Sequence, residues 1–213
     1  MTEPSRTVEV ERKYDVDDAT PLPEWQGLPG VQDVSLGEAR ELDARYFDTA
    51  QGALARAGVA LRRRTGGPDA GWHIKGPREG DGRLELGWPL HEGDLDEADV
   101  SGDVIPDAVA TTVARWTTEP LTPLARIENA RTAYLLTGPP GVVAEFVDDR
   151  VHATDLRRGR RRAWREWEME LGPAAPVDPA EREVFFTAVE RAVHAAGGRD
   201  SVSGSKLARA LGF

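Results

Sequence analysis

The chain has 213 residues, 39% hydrophobic and 30% charged, which suits a folded domain with a real core and not a disordered chain. Its net charge of −10 argues against a general nucleic-acid partner, and no apolar run reaches the about 18 residues of a membrane span. It has no cysteine, so disulfides and thiolate metal sites are excluded, and Met1 to Arg6 lacks an apolar signal core. A cytoplasmic protein is the expectation. Of 27 basic residues only three are lysines, Lys13, Lys75 and Lys206. A compact, mobile ammonium and a planar guanidinium are not interchangeable at a tight site, so lysines kept in so arginine-rich a chain mark candidate positions.

In chain order, Thr7 to Asp15 alternates as a strand, with Val8, Val10, Arg12 and Tyr14 on one face and Glu9, Glu11, Lys13 and Asp15 on the other. Short strands are predicted at Ala44 to Asp48 and Val59 to Thr65. A hairpin follows from Trp72 to Lys75 and Arg83 to Trp88, turning at Pro77 to Gly82. Helical spacing of Val109, Val113 and Trp116 predicts a helix from Pro106 to Trp116 within the less regular stretch Asp94 to Thr118. Leu124 to Leu136 and Val142 to Val151 read as strands joined at Thr137 to Gly141, and Ala163 to Leu171 as a third, after a turn near Arg157 to Arg160. Asp178 and Pro179 open a helix with an apolar stripe of Val184, Phe185, Ala188, Val189, Ala192 and Val193, stopped by Gly197 and Gly198. A last helix spans Ser203 to Leu211. About eight antiparallel strands with a few helices make one α+β domain.

Several of these strands carry one face dense in charge: Glu9, Glu11 and Lys13; Arg62 and Arg64; Glu168 and Glu170. A solvated outer face explains any one of them. Taken together, the set predicts a curled sheet whose charged faces converge, carboxylates on one wall and cations on the other. Carboxylates in that number call for a divalent cation, and an oxygen-only ligand set suits Mg²⁺, Mn²⁺ or Ca²⁺ rather than zinc. Metal with Arg and Lys is the usual clamp for a phosphoryl group.

The ordered motifs resemble one family. Glu9-Val-Glu11-Arg-Lys13 is similar to the ExExK signature of the CYTH, or triphosphate tunnel, superfamily of class IV adenylate cyclases, thiamine triphosphatases and inorganic triphosphatases. The resemblance continues through Tyr46-Phe-Asp48-Thr49, Leu54, Gly58, Leu61-Arg62-Arg-Arg64, Trp72-His-Ile-Lys75, Asn129-Ala-Arg131, Glu145-Phe-Val-Asp148-Asp149, Glu168-Met-Glu170 and Ser205-Lys206. It spans Val8 to Leu211 and takes in all three lysines.

The resemblance implies an eight-stranded antiparallel β-barrel with flanking helices, as a single CYTH-like domain over residues 1–213. It implies metal ligation by Glu9, Glu11, Glu168 and Glu170, with a further acid from the Glu145–Asp149 strand. Asp149 is preferred there because it shares parity with Glu145, and Asp148 competes. Glu9, Glu11 and Lys13 would be catalytic. Lys13, Arg62, Arg64, Lys75, Arg131 and Lys206 would hold phosphates, with Arg83 and Glu85 in a second rank and Arg126 facing out. The implied cofactor is Mg²⁺ or Mn²⁺. The implied partner is a small molecule bearing a triphosphate, with no nucleic acid and no membrane; nothing in the sequence sets an oligomeric state. Hydrolysis is the expected reaction. A class IV-type cyclase and a non-catalytic polyphosphate- or nucleotide-binding module are the alternatives. The Arg157–Arg162 cluster reads as a solvated hairpin tip, or as a device steering anions to the site. His73, His91, His152 and His194 read as neither ligands nor bases, and the six tryptophans as packing residues.

Overall fold

The computed structural model describes residues 3–90 and 104–213. His91 and positions 94–103 of the stretch Asp94 to Thr118 lie outside them. Eight strands form the frame: β1 (Ser5–Val16), β3 (Glu38–Thr49), β4 (Ala60–Thr65), β5 (Gly71–Glu79), β6 (Gly82–Pro89), β7 (Leu121–Gly138), β8 (Gly141–Asp155) and β9 (Arg160–Leu171). They run antiparallel in the order β1-β6-β5-β4-β3-β7-β8-β9, and β1 then pairs with β9, which closes the sheet into a barrel. Two-residue strands β2 (Asp33–Val34) and β10 (Arg199–Asp200) add to β7 and β1. The helices are α1 (Ala53–Arg56), α2 (Asp107–Val113), α3 (Pro179–Ala196) and α4 (Lys206–Leu211).

The barrel is built from strands whose apolar faces point outward under helices. Tyr14, Phe146, Trp167 and Met169 meet Phe185, Phe186, Val189 and Val193 of α3 on one flank. On the other, Phe47, Leu61, Trp72, Ile74 and Trp88 meet Leu54 of α1 and Val109 and Val113 of α2. Burying these large side chains, at about 25 cal/mol per Å² of apolar surface, is what allows the opposite face of each strand to carry charge. A third cluster lies inside one end of the barrel, where Leu207, Ala210 and Leu211 of α4 pack on Ala44, Tyr46, Ala125, Ile127, Val151 and Ala153. The last helix therefore plugs the barrel and leaves a cup with one open end.

Several predicted boundaries shift. β3 begins at Glu38, not Ala44, because Glu38 to Asp43 lacks a regular apolar alternation and takes its strand form from pairing with β7. Pro77 stands inside β5 at an irregularity between Lys75 and Arg78, where no ladder donor is required, so the hairpin turns at Gly80 and Asp81. On α3 the buried stripe takes in Phe186, while Val184 is 60% exposed. The α3 ends follow expectation: Asp178 accepts from the N–H of Ala180 and Glu181, and Gly197 terminates the helix at φ 102°.

Candidate functional site

The lumen is a cavity of about 390 Å³. Glu9, Glu11 and Lys13 of β1, Arg62 and Arg64 of β4, Lys75 of β5, Arg83 of β6, Arg131 of β7, Glu145 of β8, Glu168 and Glu170 of β9, and Lys206 of α4 all line it. Strand register brings them together. Glu11 stands opposite Glu170 and Lys13 opposite Glu168 across the β1–β9 seam, while Glu145 faces Glu170 across β8–β9. Thr49 and Asp48 of the Tyr46-to-Thr49 motif do not enter the lumen. The Asp48 carboxylate accepts from the N–H groups of Thr49, Leu54 and Ala55 at 2.7, 2.9 and 3.0 Å, fixing the turn from β3 into α1.

Acids and bases interleave more than two opposed walls would allow. At the closed end, Arg131 grips Asp149 through two donors at 2.8 and 2.7 Å and also donates to Glu168 at 3.0 Å. The Lys206 ammonium lies 2.8 Å from Asp149, 2.6 Å from Glu166 and 2.8 Å from Glu168. Lys13 bonds Glu168 and Glu11, the latter at 2.8 Å. Burial opposes ionisation of Glu168, but Lys13, Lys206 and Arg131 outweigh it and hold the carboxyl well below the ordinary range. Asp149 is likewise lowered: burial resists, and Lys206 and Arg131 prevail. Glu11 is lowered against its burial by Lys13.

At Glu9 and Glu170 the balance reverses. Lys75 contacts Glu9 at 2.6 Å and Glu85 at 3.0 Å, and Glu85 also meets buried His73. Burial raises Glu9 despite Lys75, and burial together with Glu9 pushes Glu170 up to about 7. Glu85 goes the other way: burial is outweighed by His73, Lys75 and Arg62, which hold it well below the ordinary range. Asp149, Glu166 and Glu168 also bring carboxylate oxygens within 4.8 Å of one another, around the Lys206 ammonium. Oxygen donors alone suit a hard divalent cation, and among the described residues that close group is Asp149, Glu166 and Glu168; the predicted ligands Glu9, Glu11 and Glu170 line the cavity without joining it.

Not every predicted residue stands free in the lumen. Asp148 points out of the barrel: Arg165 holds it at 2.7 and 3.0 Å and Trp167 Nε1 at 3.1 Å, because its parity is opposite to that of Asp149. It is not among the tunnel acids. Glu145 lines the open mouth but is bound by Arg40 at 3.2 and 3.3 Å. Arg83 lines the cavity while its Nε donates to the Gly76 carbonyl at 2.6 Å. Arg126 faces outward, on Asp43. Arg157 is not a free steering charge: it donates to the Asp48 and Thr49 carbonyls at 2.7 and 3.0 Å, at the plugged end.

Sequence reasoning missed Arg40 and Tyr46 as lumen residues and Glu166 as a partner of Lys206. Glu166 shares the alternation of Glu168 and Glu170, which was signal enough. Arg40 sits in a stretch without apolar alternation and is recognisable only through its pairing opposite Arg131. Tyr46 is buried; burial opposes its ionisation, yet Arg62, Lys75 and Lys206 bring its phenol below the ordinary value.

The fold is a closed antiparallel barrel with a helix-stopped lumen lined by both carboxylates and cations. Residues 7–191 match the CYTH domain, and the chain belongs to that family, whose members are triphosphatases and adenylate cyclases acting on triphosphate substrates. Two uncharacterized proteins of Mycobacterium tuberculosis, from strains H37Rv and CDC 1551, are each 38% identical over 98% of this chain. The chain spans only 41% of their length. Solved structures share the fold at low identity. A candidate adenylate cyclase from Bacillus halodurans is 18% identical with a TM-score of 0.64 over 96% of this chain and 97% of its own. A candidate adenylyl cyclase from Hippeastrum with a dominant triphosphatase activity is 16% identical with a TM-score of 0.59 over 96% and 94%. A Pyrococcus horikoshii protein is 15% identical with a TM-score of 0.59 over 95% and 98%. No helix among the described residues is long and apolar enough to cross a membrane.

Proposed function

We propose that this protein is a cytoplasmic phosphohydrolase that cleaves a triphosphate-bearing small molecule in the barrel lumen, with Mg²⁺ or Mn²⁺ and with inorganic tripolyphosphate as the foremost substrate. The observation that carries this reading is the convergence of Lys13, Arg62, Arg64, Lys75, Arg131 and Lys206 on one cavity that Glu9, Glu11, Glu168 and Glu170 also line. Among the described lining residues Tyr46 is the sole aromatic, so the lumen offers little stacking surface for a nucleobase or a thiazole ring, and this favours the inorganic chain.

Glu9, Glu11, Glu168 and Glu170 would hold the metal, which when bound neutralises phosphate charge and supplies a Lewis acid. The lysines and arginines fix the chain along the lumen. Held there, its terminal phosphorus can meet a water in line with the leaving oxygen; the P–O bond to the rest of the chain breaks and orthophosphate departs. The α4 plug keeps bulk water from one end, which strengthens each charge contact inside.

The test is incubation with tripolyphosphate, thiamine triphosphate and ATP in Mg²⁺ or Mn²⁺. Orthophosphate release supports the proposal. Pyrophosphate with cyclic AMP would replace it with a cyclase, and uptake without turnover with a binding module. Glu9→Ala or Glu11→Ala should abolish release while the circular dichroism spectrum stays that of the folded protein.

A further inference from the structure

Arg64 differs from the other lumen cations in the anion it holds. The connection from β4 to β5 folds back over the cavity so that the Asp69 carboxylate contacts the Arg64 guanidinium, and Pro68 and Asp69 line the same cavity as the phosphate-binding set. The Asp69 carbonyl accepts from Arg64 Nη2 at 3.4 Å and lies 2.9 Å from His73 Nε2. The reversal depends on Gly66 and Gly67, at φ 76° and 73°; a Cβ on Gly66 would run into the Glu41 carbonyl.

Deeper in, Arg131 and Lys206 are paired with Asp149, whose side chain is 0% exposed, whereas that of Asp69 is 55% exposed. A carboxylate half in water holds its partner weakly. Arg64 is itself buried, with an Nε that has no hydrogen-bond partner. Burial and the nearby Arg62 and Arg131 make its charge costly. Asp69 therefore leaves Arg64 incompletely compensated.

We propose that Asp69 is an internal competitor of the substrate: its carboxylate occupies the anion seat on Arg64 near the open mouth, and an entering phosphate chain takes that seat by displacing it. Asp69 thereby sets the affinity of the lumen for polyphosphate. This inference rests on the triphosphate reading of the same cavity.

The experiment compares wild type with Asp69→Asn and Asp69→Ala, using inorganic tripolyphosphate as the probe. KM and kcat are measured in Mg²⁺, and Kd by calorimetry at low salt without metal. Removing the competing charge should lower KM and Kd about two- to five-fold, the range of one exposed ion pair, without raising kcat. In wild type, amides of residues 66–70 should exchange faster once tripolyphosphate is bound. Equal or weaker affinity in both variants would overturn the inference and leave Asp69 as an orienting partner of Arg64, as would slower loop exchange on binding. Wild type that neither turns over nor takes up tripolyphosphate would overturn the triphosphate reading and this inference together.

Discussion

At Glu170, burial and the neighbouring Glu9 keep a proton on the side chain up to about pH 7. The folded carboxyl thus binds its proton more tightly than the unfolded one, ordinarily near 4.5. Its contribution to stability is present below pH 4.5 and is lost as pH rises through 7. Glu9 shifts in the same direction, with burial as the main cause. Glu170→Gln, which imitates the protonated form, should therefore raise the Tm of metal-free protein above pH 7, by about 2–4 °C for each kcal/mol recovered at this chain length. At pH 5 it should change little, and it should reduce the gain in Tm on adding Mg²⁺. Thermal melts at the two pH values check this, and an unchanged Tm at pH 8 would contradict it. Arg131 carries the opposite risk. Its two donors are bound to an Asp149 side chain that is 0% exposed, so Arg131→Met leaves a buried charge without its fork. A loss on the order of 3–5 kcal/mol in urea unfolding is expected.

At the scale of elements, α4 joins two tasks in six residues. Its apolar side fills one end of the barrel, and Lys206, its first residue, reaches the acids of β8 and β9. The Ser205 side chain fixes that start by accepting from the Ala208 N–H at 3.1 Å. Ser205→Ala should cost about 1 kcal/mol of stability. Because it leaves Lys206 in place but less well held, it should raise KM for tripolyphosphate more than it lowers kcat. Equal melting curves and kinetics in the variant would separate the plug from the site. The β1–β9 seam is the other decisive element. Pairing Glu11 with Glu170 and Lys13 with Glu168 closes the barrel and places residues some 155 positions apart along the chain in one lumen.

For the whole molecule, the design is an inside-out distribution of charge. Two outer flanks bury aromatic and aliphatic side chains under helices, and the inner face keeps the ionised groups. A metal that binds the folded lumen and not the unfolded chain should stabilise the fold by mass action. Mg²⁺ or Mn²⁺ at 100 times its Kd should add about 2.7 kcal/mol and raise Tm by several degrees, reversibly with a chelator. A Tm indifferent to both would argue against the metal site. Much of this was legible beforehand. The alternation around Glu9 to Lys13 and around Glu168 to Glu170 assigns those side chains to one face of each strand, since a strand has a fixed period of two. The same alternation separates Asp149 from Asp148. The sequence by itself therefore determined the strands, their charged faces and, through ordered motifs, the family. It could not determine which charge meets which. That Lys206 sits between three carboxylates, that Asp69 rests on Arg64 and that Arg40 holds Glu145 were decided only by the tertiary structure, because barrel closure and register, not local spacing, set the distances between charges on different strands.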